Sequence, residues 1–272
     1  MALPAAGCAP LYAFGVEPGW LERTVTQVKL PCNKKLTRGV RILHLSDLHA
    51  SSVVPFALIE NAVELGLEAK PDVICLTGDF VTDATPFDRA VYAGILRKLP
   101  AAAPTFATLG NHDGGRWAGS HGGLKDTASV RALLAASDIP VLHNRSEVVR
   151  VHGQSLRFAG VPDLWSGEVD GASAFADVPA SDAAIVLAHN PDTKDALADR
   201  PWDLMLSGHT HGGQVVLPLV GARFVPVRDK RFIAGLKPWN GRQVYITRGV
   251  GNIDGVRVNC RPEVTVLDLV SA

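Results

Sequence analysis

The chain has 272 residues, 47% of them hydrophobic, and its 27 Lys and Arg are balanced by 27 Asp and Glu. A chain of this length buries roughly 70–75% of its unfolded surface, so its core needs neither disulfides nor a structural metal. Zero net charge excludes the polybasic binders that depend on long-range attraction, and no specific nucleic-acid binding is expected.

Short runs rich in Val, Ile and Leu lie at 40–46, 72–77, 105–109, 156–161, 184–188 and 203–207, each ending at a polar cluster. They are continuous rather than alternating, the pattern of strands buried on both faces of a sheet. Between the early runs, 56–69, 87–99 and 124–136 carry apolar residues at three- and four-residue spacing, and Pro71 and Pro140 follow the first and third. The second half changes character, with strands expected at 214–220, 243–247 and 263–270 between Gly- and Pro-marked turns. The fold class is therefore α/β, with two facing mixed sheets flanked by helices. Residues 1–38 are expected to be a lead-in packed on a single domain at 39–272, because no linker, repeat or low-complexity segment divides the chain. No stretch reaches the ~18–20 apolar residues of a bilayer span. Met1 to Pro10 has no basic residue to open a secretory signal. A cytoplasmic location, or one peripheral to an inner membrane, is expected. Cys8, Cys32, Cys75 and Cys260 show no CxxC spacing, and Cys75 sits where a buried free thiol is ordinary.

Five polar clusters follow the ends of strand-like runs: Ser46-Asp47-Leu48-His49, Gly78-Asp79, Gly110-Asn111-His112-Asp113, Ala188-His189-Asn190 and Gly208-His209-Thr210-His211. Ligands of α/β sheets bind beyond the carboxyl ends of strands, so five strand ends can deliver these side chains to one place. Taken singly, Asp47, Asp79 or Asn111 would read as turn residues or helix N-caps. Taken together they offer carboxylate, imidazole and amide without thiolate, which suits Mn²⁺, Fe or Zn²⁺ in an open catalytic sphere. Seven candidate ligands exceed the needs of one open metal and suit two, about 3.5–4 Å apart. The remaining histidines, His44, His121, His143 and His152, read as core or surface residues. Asp83 reads equally as a turn residue or as a group tuning the site from behind.

The ordered set Asp47-x-His49, Gly78-Asp79, Gly110-Asn111-His112-Asp113, His189 and Gly208-His209-x-His211 resembles the calcineurin-like metallophosphoesterase superfamily. That resemblance implies a four-layer sandwich and two divalent ions, Mn first, with Fe or Zn as alternatives. One metal would take Asp47, His49, Asp79 and His211. The other would share Asp79 and add Asn111, His189 and His209. His112, oriented by Asp113, would assist the leaving group while a metal-bridging hydroxide attacks phosphorus in line.

The stretch 203–214, the His189-Asn190-Pro191-Asp192 cluster and the tail from Arg248-Gly249-Val250-Gly251 to Arg261-Pro262-Glu263 resemble a bacterial branch of membrane-associated phosphodiesterases. That branch includes UDP-2,3-diacylglucosamine pyrophosphatases of lipid A synthesis. It implies a phosphodiester or pyrophosphate substrate, lipid-linked in one reading, with peripheral membrane contact. Between 217 and 239, Leu217, Leu219, Phe224, Phe232, Leu236 and Trp239 alternate with Arg223, Arg228, Lys230, Arg231 and Lys237. They form either a rim for acyl chain and phosphate or an ordinary hairpin. The competing functions are a soluble nucleotide phosphodiesterase or phosphoprotein phosphatase, and a binding module without catalysis.

Overall fold

The computed structural model describes residues 10–30, 36–179, 181–222 and 225–271. Among them are β1 (Glu22–Leu30), β2 (Val40–Leu45), β3 (Val73–Thr77), β4 (Thr105–Thr108), β5 (Arg145–Val151), β6 (Gln154–Gly160) and β7 (Ala183–Leu187). They are followed by β8 (Leu204–Ser207), β9 (Val216–Leu217), β10 (Gly221–Ala222), β11 (Gly235–Trp239), β12 (Arg242–Ile246) and β13 (Glu263–Ser271). The first sheet has the order β1-β13-β2-β3-β4 and the second β11-β12-β8-β7-β6-β5. Strands β2, β3 and β4 run parallel in one sheet, and β6, β7, β8 and β12 in the other.

Three helices cover the first sheet: α1 (Phe56–Leu67), α2 (Arg89–Leu96) and α3 (Ala128–Ala136). Helix α1 begins at the expected Phe56, while capping and turn chemistry sets the starts of α2 and α3 inside the wider expected ranges. The Asp88 carboxylate accepts the backbone N–H groups of Ala90 and Val91, both at 3.0 Å, so α2 begins at Arg89 rather than 87. Asp126 accepts from Ala128 N–H at 2.9 Å in a turn that delays α3.

Alternate residues of each central strand feed two different cores. Between the sheets, Ile42, Val73, Cys75 and Phe106 meet Leu156, Phe158, Ile185 and Leu206, with the Phe106 and Phe158 rings stacked at 5.6 Å. On the outer face of the first sheet, Leu43, Leu45, Ile74 and Leu76 pack under Leu58, Ile59, Tyr92 and Leu133. The outer face of the second sheet, with Val186, Met205 and Val244, is closed by Phe175, Leu197 and Trp202. The result is the helix-flanked pair of facing mixed sheets expected from the apolar runs.

Three strands were not legible as apolar runs: β1, β5 and β11. All three are sheet edges, where one side of the strand faces water and the sequence alternates or turns polar. Strand β1, inside the expected lead-in, pairs in parallel with β13. Strand β11 carries Pro238, which an edge tolerates. The strand expected at 214–220 shrinks to Val216–Leu217, paired with Gly221–Ala222 in a ribbon outside both sheets.

Candidate metal centre

The parallel strands of both sheets end toward one crevice. Asp47 and His49 follow β2, Asp79 follows β3, Asn111 follows β4, His189 follows β7, and His209 and His211 follow β8. All seven side chains are buried. The His49 and His211 Nε2 atoms lie 3.1 Å apart, and His209 Nδ1 lies 3.2 Å from His189 Nε2. Asp79 Oδ2 is 3.4 Å from His49 Nε2 and 3.1 Å from His189 Nε2, while Asp47 Oδ1 is 3.5 Å from His211 Nε2. Two overlapping triads result, Asp47 with His49 and His211, and Asp47 with Asp79 and His189, each with ligand atoms within 4.8 Å of one another.

The local backbone is bent to bring this about. Asp47, His49, Asp79, His209 and His211 all have φ between 49° and 68°, a region costly for non-glycine residues that persists only where surrounding structure imposes it. Glycines make the close approach feasible: a Cβ on Gly110 would collide with the Asp79 carboxylate, and one on Gly208 with Ser46 and Asp47. Behind the site, the buried Arg257 guanidinium donates to the carbonyls of Cys260 at 2.9 Å, Arg248 at 2.8 Å and Gly249 at 3.2 Å. It thereby holds a loop whose Gly251 N–H reaches the Asp47 carbonyl at 2.6 Å.

Hydrogen bonds fix which ring nitrogens face inward. His189 Nδ1 bonds the Thr77 carbonyl at 2.6 Å, His49 Nδ1 meets Thr82 Oγ1 at 3.2 Å, and His209 Nε2 meets the Pro226 carbonyl at 3.1 Å. The opposite nitrogens of His49 and His209 are thus left with their lone pairs toward the crevice, the arrangement that metal-binding histidines use, while His189 Nε2 faces the Asp79 carboxylate. Burial pushes the pKa values of His49 and His209 down to about 3, and that of His211 well below its ordinary value, so these rings are neutral donors at neutral pH. Burial raises Asp47 to about 6. For Asp79 burial acts upward too, but the neighbouring His189 and His112 outweigh it and hold the carboxyl well below its ordinary value. Burial opposes charge on His189, and the Asp79 carboxylate overrides it and raises that pKa. Asn111 Oδ1 is buried with no hydrogen-bond partner among the described residues, an acceptor that a cation would satisfy. The donor set fits divalent metal ions.

Residues 40–213 match the family pattern of the calcineurin-like phosphoesterases, Metallophos. The chain belongs to that family. It is a metallophosphoesterase, a phosphoric ester hydrolase. This metallophosphoesterase is 43% identical over 262 residues to phosphodiesterase YaeI of Escherichia coli, covering 95% of this chain and 92% of the relative. It is 27% identical over 304 residues to the UDP-2,3-diacylglucosamine pyrophosphatase LpxG of Chlamydia trachomatis, covering 94% and 92%. Among solved structures, the NAD nucleotidase NadN of Haemophilus influenzae aligns with a TM-score of 0.51 at 17% identity, over 79% of this chain and 45% of that longer one. At that identity the likeness speaks for the fold alone.

His112 stands beside the cluster, its ring 5.0 Å from that of His49 and its backbone N–H on Asp79 Oδ1 at 2.9 Å. The expectation that Asp113 orients it needs correction. The His112 Nδ1 bonds the Thr82 carbonyl at 2.7 Å. Asp113 instead accepts from the backbone N–H groups of Asp79, Phe80 and Gly110 at 2.8, 2.7 and 2.8 Å, because a buried carboxylate takes the nearest donors and here these are strand-end amides. Asp113 therefore braces the loops that carry Asp79 and Asn111.

The other singled-out residues fall outside the cluster. His44 is buried with Nε2 2.8 Å from Thr77 Oγ1, His152 pairs with Asp72 at 3.0 Å, His143 meets Arg131 at 3.0 Å, and exposed His121 stacks on Trp117. Asp83 closes a turn by accepting from Thr85 N–H at 2.7 Å. Cys75 and Cys260 are free and buried, while Cys8 and Cys32 lie outside the described residues. The rim expected over 217–239 divides. Phe232 is buried, Leu236 packs into the inter-sheet core, and Trp239 stacks on Trp202 at 5.4 Å. Leu217, Leu219, Arg228, Lys230 and Arg231 are exposed, and Arg223 and Phe224 lie outside the described residues.

The sequence had not pointed to Thr82, Trp117, Asp163, Trp165 or Arg257. Trp117 lies edge-on to His112 at 4.8 Å and Trp165 edge-on to His209 at 4.6 Å, and the two indoles meet at 5.4 Å, spanning from one histidine to the other. Asp163 receives the Trp165 N–H at 2.8 Å, and burial raises its pKa to about 6. None of these belongs to a motif, and only their three-dimensional neighbours reveal them.

Proposed function

We propose that this metallophosphoesterase hydrolyses a phosphodiester or pyrophosphate bond of a lipid-linked nucleotide such as UDP-2,3-diacylglucosamine, or of a phospholipid. The observation that carries the reading is the convergence of four inward ring nitrogens, two carboxylates and the unpartnered Asn111 oxygen at the strand ends. In our assignment Asp47, His49, Asp79 and His211 hold one divalent ion, and Asp79, Asn111, His189 and His209 hold a second. Such ions, Mn²⁺ in our reading, supply a Lewis acid for the phosphoryl oxygen and an activated water for in-line attack.

The chain's own groups do the rest. His112 has Nδ1–H engaged by the Thr82 carbonyl, so Nε2 carries a proton to donate to the leaving oxygen only in the imidazolium form. Asp113 positions the Asp79 and Asn111 loops rather than touching substrate. Two cavities flank the cluster and favour an amphiphilic substrate. One of about 300 Å³ beside Asn111 is lined by Arg116, Lys125 and Arg131 together with Asp126, Asp163 and Glu168. The other, about 340 Å³, adjoins His209 and His211 and is lined by Val215, Leu217, Pro226, Ile253 and Val256. Such a pair seats a charged headgroup on one side and an acyl chain on the other. LpxG, whose name states the lipid-nucleotide substrate, supports the same choice.

The test is turnover by metal-stripped protein reloaded with Mn²⁺, comparing bis-p-nitrophenyl phosphate, p-nitrophenyl phosphate, and UDP-2,3-diacylglucosamine in detergent. Cleavage of the diester and the lipid nucleotide is expected. Preference for the monoester would make it a phosphatase, and two bound metals without turnover of any of the three would overturn the reading.

A further inference from the structure

Lys194 is a buried cation with no part in the chemistry above. It lies on the single helical turn Thr193–Ala196, just past His189, and none of it reaches solvent. A lysine is fully buried almost only where it is paired. Its Nζ is 3.4 Å from Asp192 Oδ1, 3.3 Å from Asp195 Oδ2 and 3.9 Å from Asp229 Oδ2, and stands 4.6 Å from the centre of the buried Phe232 ring. Exchanging a buried ion cluster for apolar packing is commonly neutral or stabilising, so stability alone does not account for a charge at this position. What the charge does is hold carboxylates in place.

Asp192 in turn holds backbone. Its Oδ2 accepts the Arg228 N–H at 2.6 Å and its Oδ1 the Asp229 N–H at 3.3 Å. These amides belong to residues 225–232, which lie outside the helices and strands, so side-chain anchors decide where the segment's carbonyls point. One of those carbonyls, that of Pro226, meets His209 Nε2 at 3.1 Å, and His209 then turns Nδ1 to within 3.2 Å of His189 Nε2. Asp192 is also tied to the His189 loop, because its N–H donates to Asn190 Oδ1 at 2.9 Å. The opposite side of the centre has a separate frame, in which Arg257 grips the Arg248 and Gly249 carbonyls and the Gly251 N–H reaches Asp47.

We infer that Lys194 is a positioning residue for the second ion: through Asp192 it fixes the 225–232 segment, whose Pro226 carbonyl keeps His209 with Nδ1 inward. The inference rests on the assignment of His189 and His209 to that ion. Partners behind metal-binding histidines are worth about 10- to 100-fold in metal affinity, so Lys194→Met should weaken one of the two ions by that factor and leave the other as in wild type. The test is Mn²⁺ titration of the metal-stripped full chain by equilibrium dialysis, with thermal unfolding of the metal-free proteins beside it. Asp192→Asn, which leaves one acceptor oxygen for two N–H groups, should show the same one-ion loss to a smaller degree, and it decides the matter if Lys194→Met does not fold. A folded variant that binds both ions as tightly as wild type would overturn the inference. So would equal weakening of both ions, which is what general loosening of the fold predicts. Binding of a single ion by the wild-type chain would instead overturn the two-ion assignment, and the inference with it.

Discussion

Only three residues separate Cys75, in the body of β3, from Asp79, just past its end, and the chain changes its physics between them. Cys75 is surrounded by apolar side chains of the inter-sheet core, where backbone hydrogen bonds are complete and nothing but packing is asked of it. Asp79 is equally buried, yet it has left-handed φ and lies among imidazoles and the Asp113 carboxyl. The left-handed bend recurs after β2 and β8, and buried polar side chains also follow β4 and β7. Strand bodies provide stability, and strand ends concentrate strain, charge and, at Asn111, an unsatisfied acceptor that fits a bound cation. Stability and chemistry are thus adjacent in sequence but separable by substitution.

The largest expected effect lies at the strand ends. Asp79→Asn should lower turnover on the order of 10³-fold and reduce metal content together, checked by elemental analysis beside diester kinetics. If metal stays and only rate falls, the carboxylate is not a shared ligand. Next is a core change: Phe158→Ala removes the ring stacked on Phe106 and should cost about 3–5 kcal/mol in denaturant unfolding. Turnover per folded molecule should be preserved. A selective loss of rate in this variant would break the separation of core from site.

His112→Asn sharpens the contrast within the crevice itself. It should retain both metals and lower turnover by about 10²-fold, and equal metal loss would place His112 among the ligands. The smallest effect concerns Glu263, at the start of β13 and away from the metal cluster. Burial favours its neutral form, but Arg248, with Nε at 3.2 Å, and the hydroxyls of Thr24 and Tyr245 hold its pKa below the ordinary 4.5. A depressed folded-state pKa stabilises the fold above 4.5 and loses that contribution as pH falls through the folded value. Glu263→Gln should therefore be less stable than wild type by about 2 kcal/mol at neutral pH. The gap in melting temperature should close on acidification, and a gap independent of pH would show that ionisation is not its source.

The sequence by itself determined the α/β class, the two sheets and which strand ends carry functional side chains. Strands buried on both faces must be continuously apolar, and Asp, His and Asn placed at five such ends have few purely structural uses together. It missed the edge strands β1, β5 and β11, whose water-facing side removes the apolar signal. Tertiary structure alone decided what the seven side chains do to one another. Strands distant in sequence bring His49 within reach of His211 and His189 within reach of Asp79, and carbonyls of Thr77 and Pro226 select the inward nitrogens. The same is true of Thr82 rather than Asp113 as the partner of His112, and of the burial of Lys194 among Asp192, Asp195 and Asp229. Hydrogen-bond partners and exposure depend on what packs opposite a residue, and no local pattern encodes that neighbour.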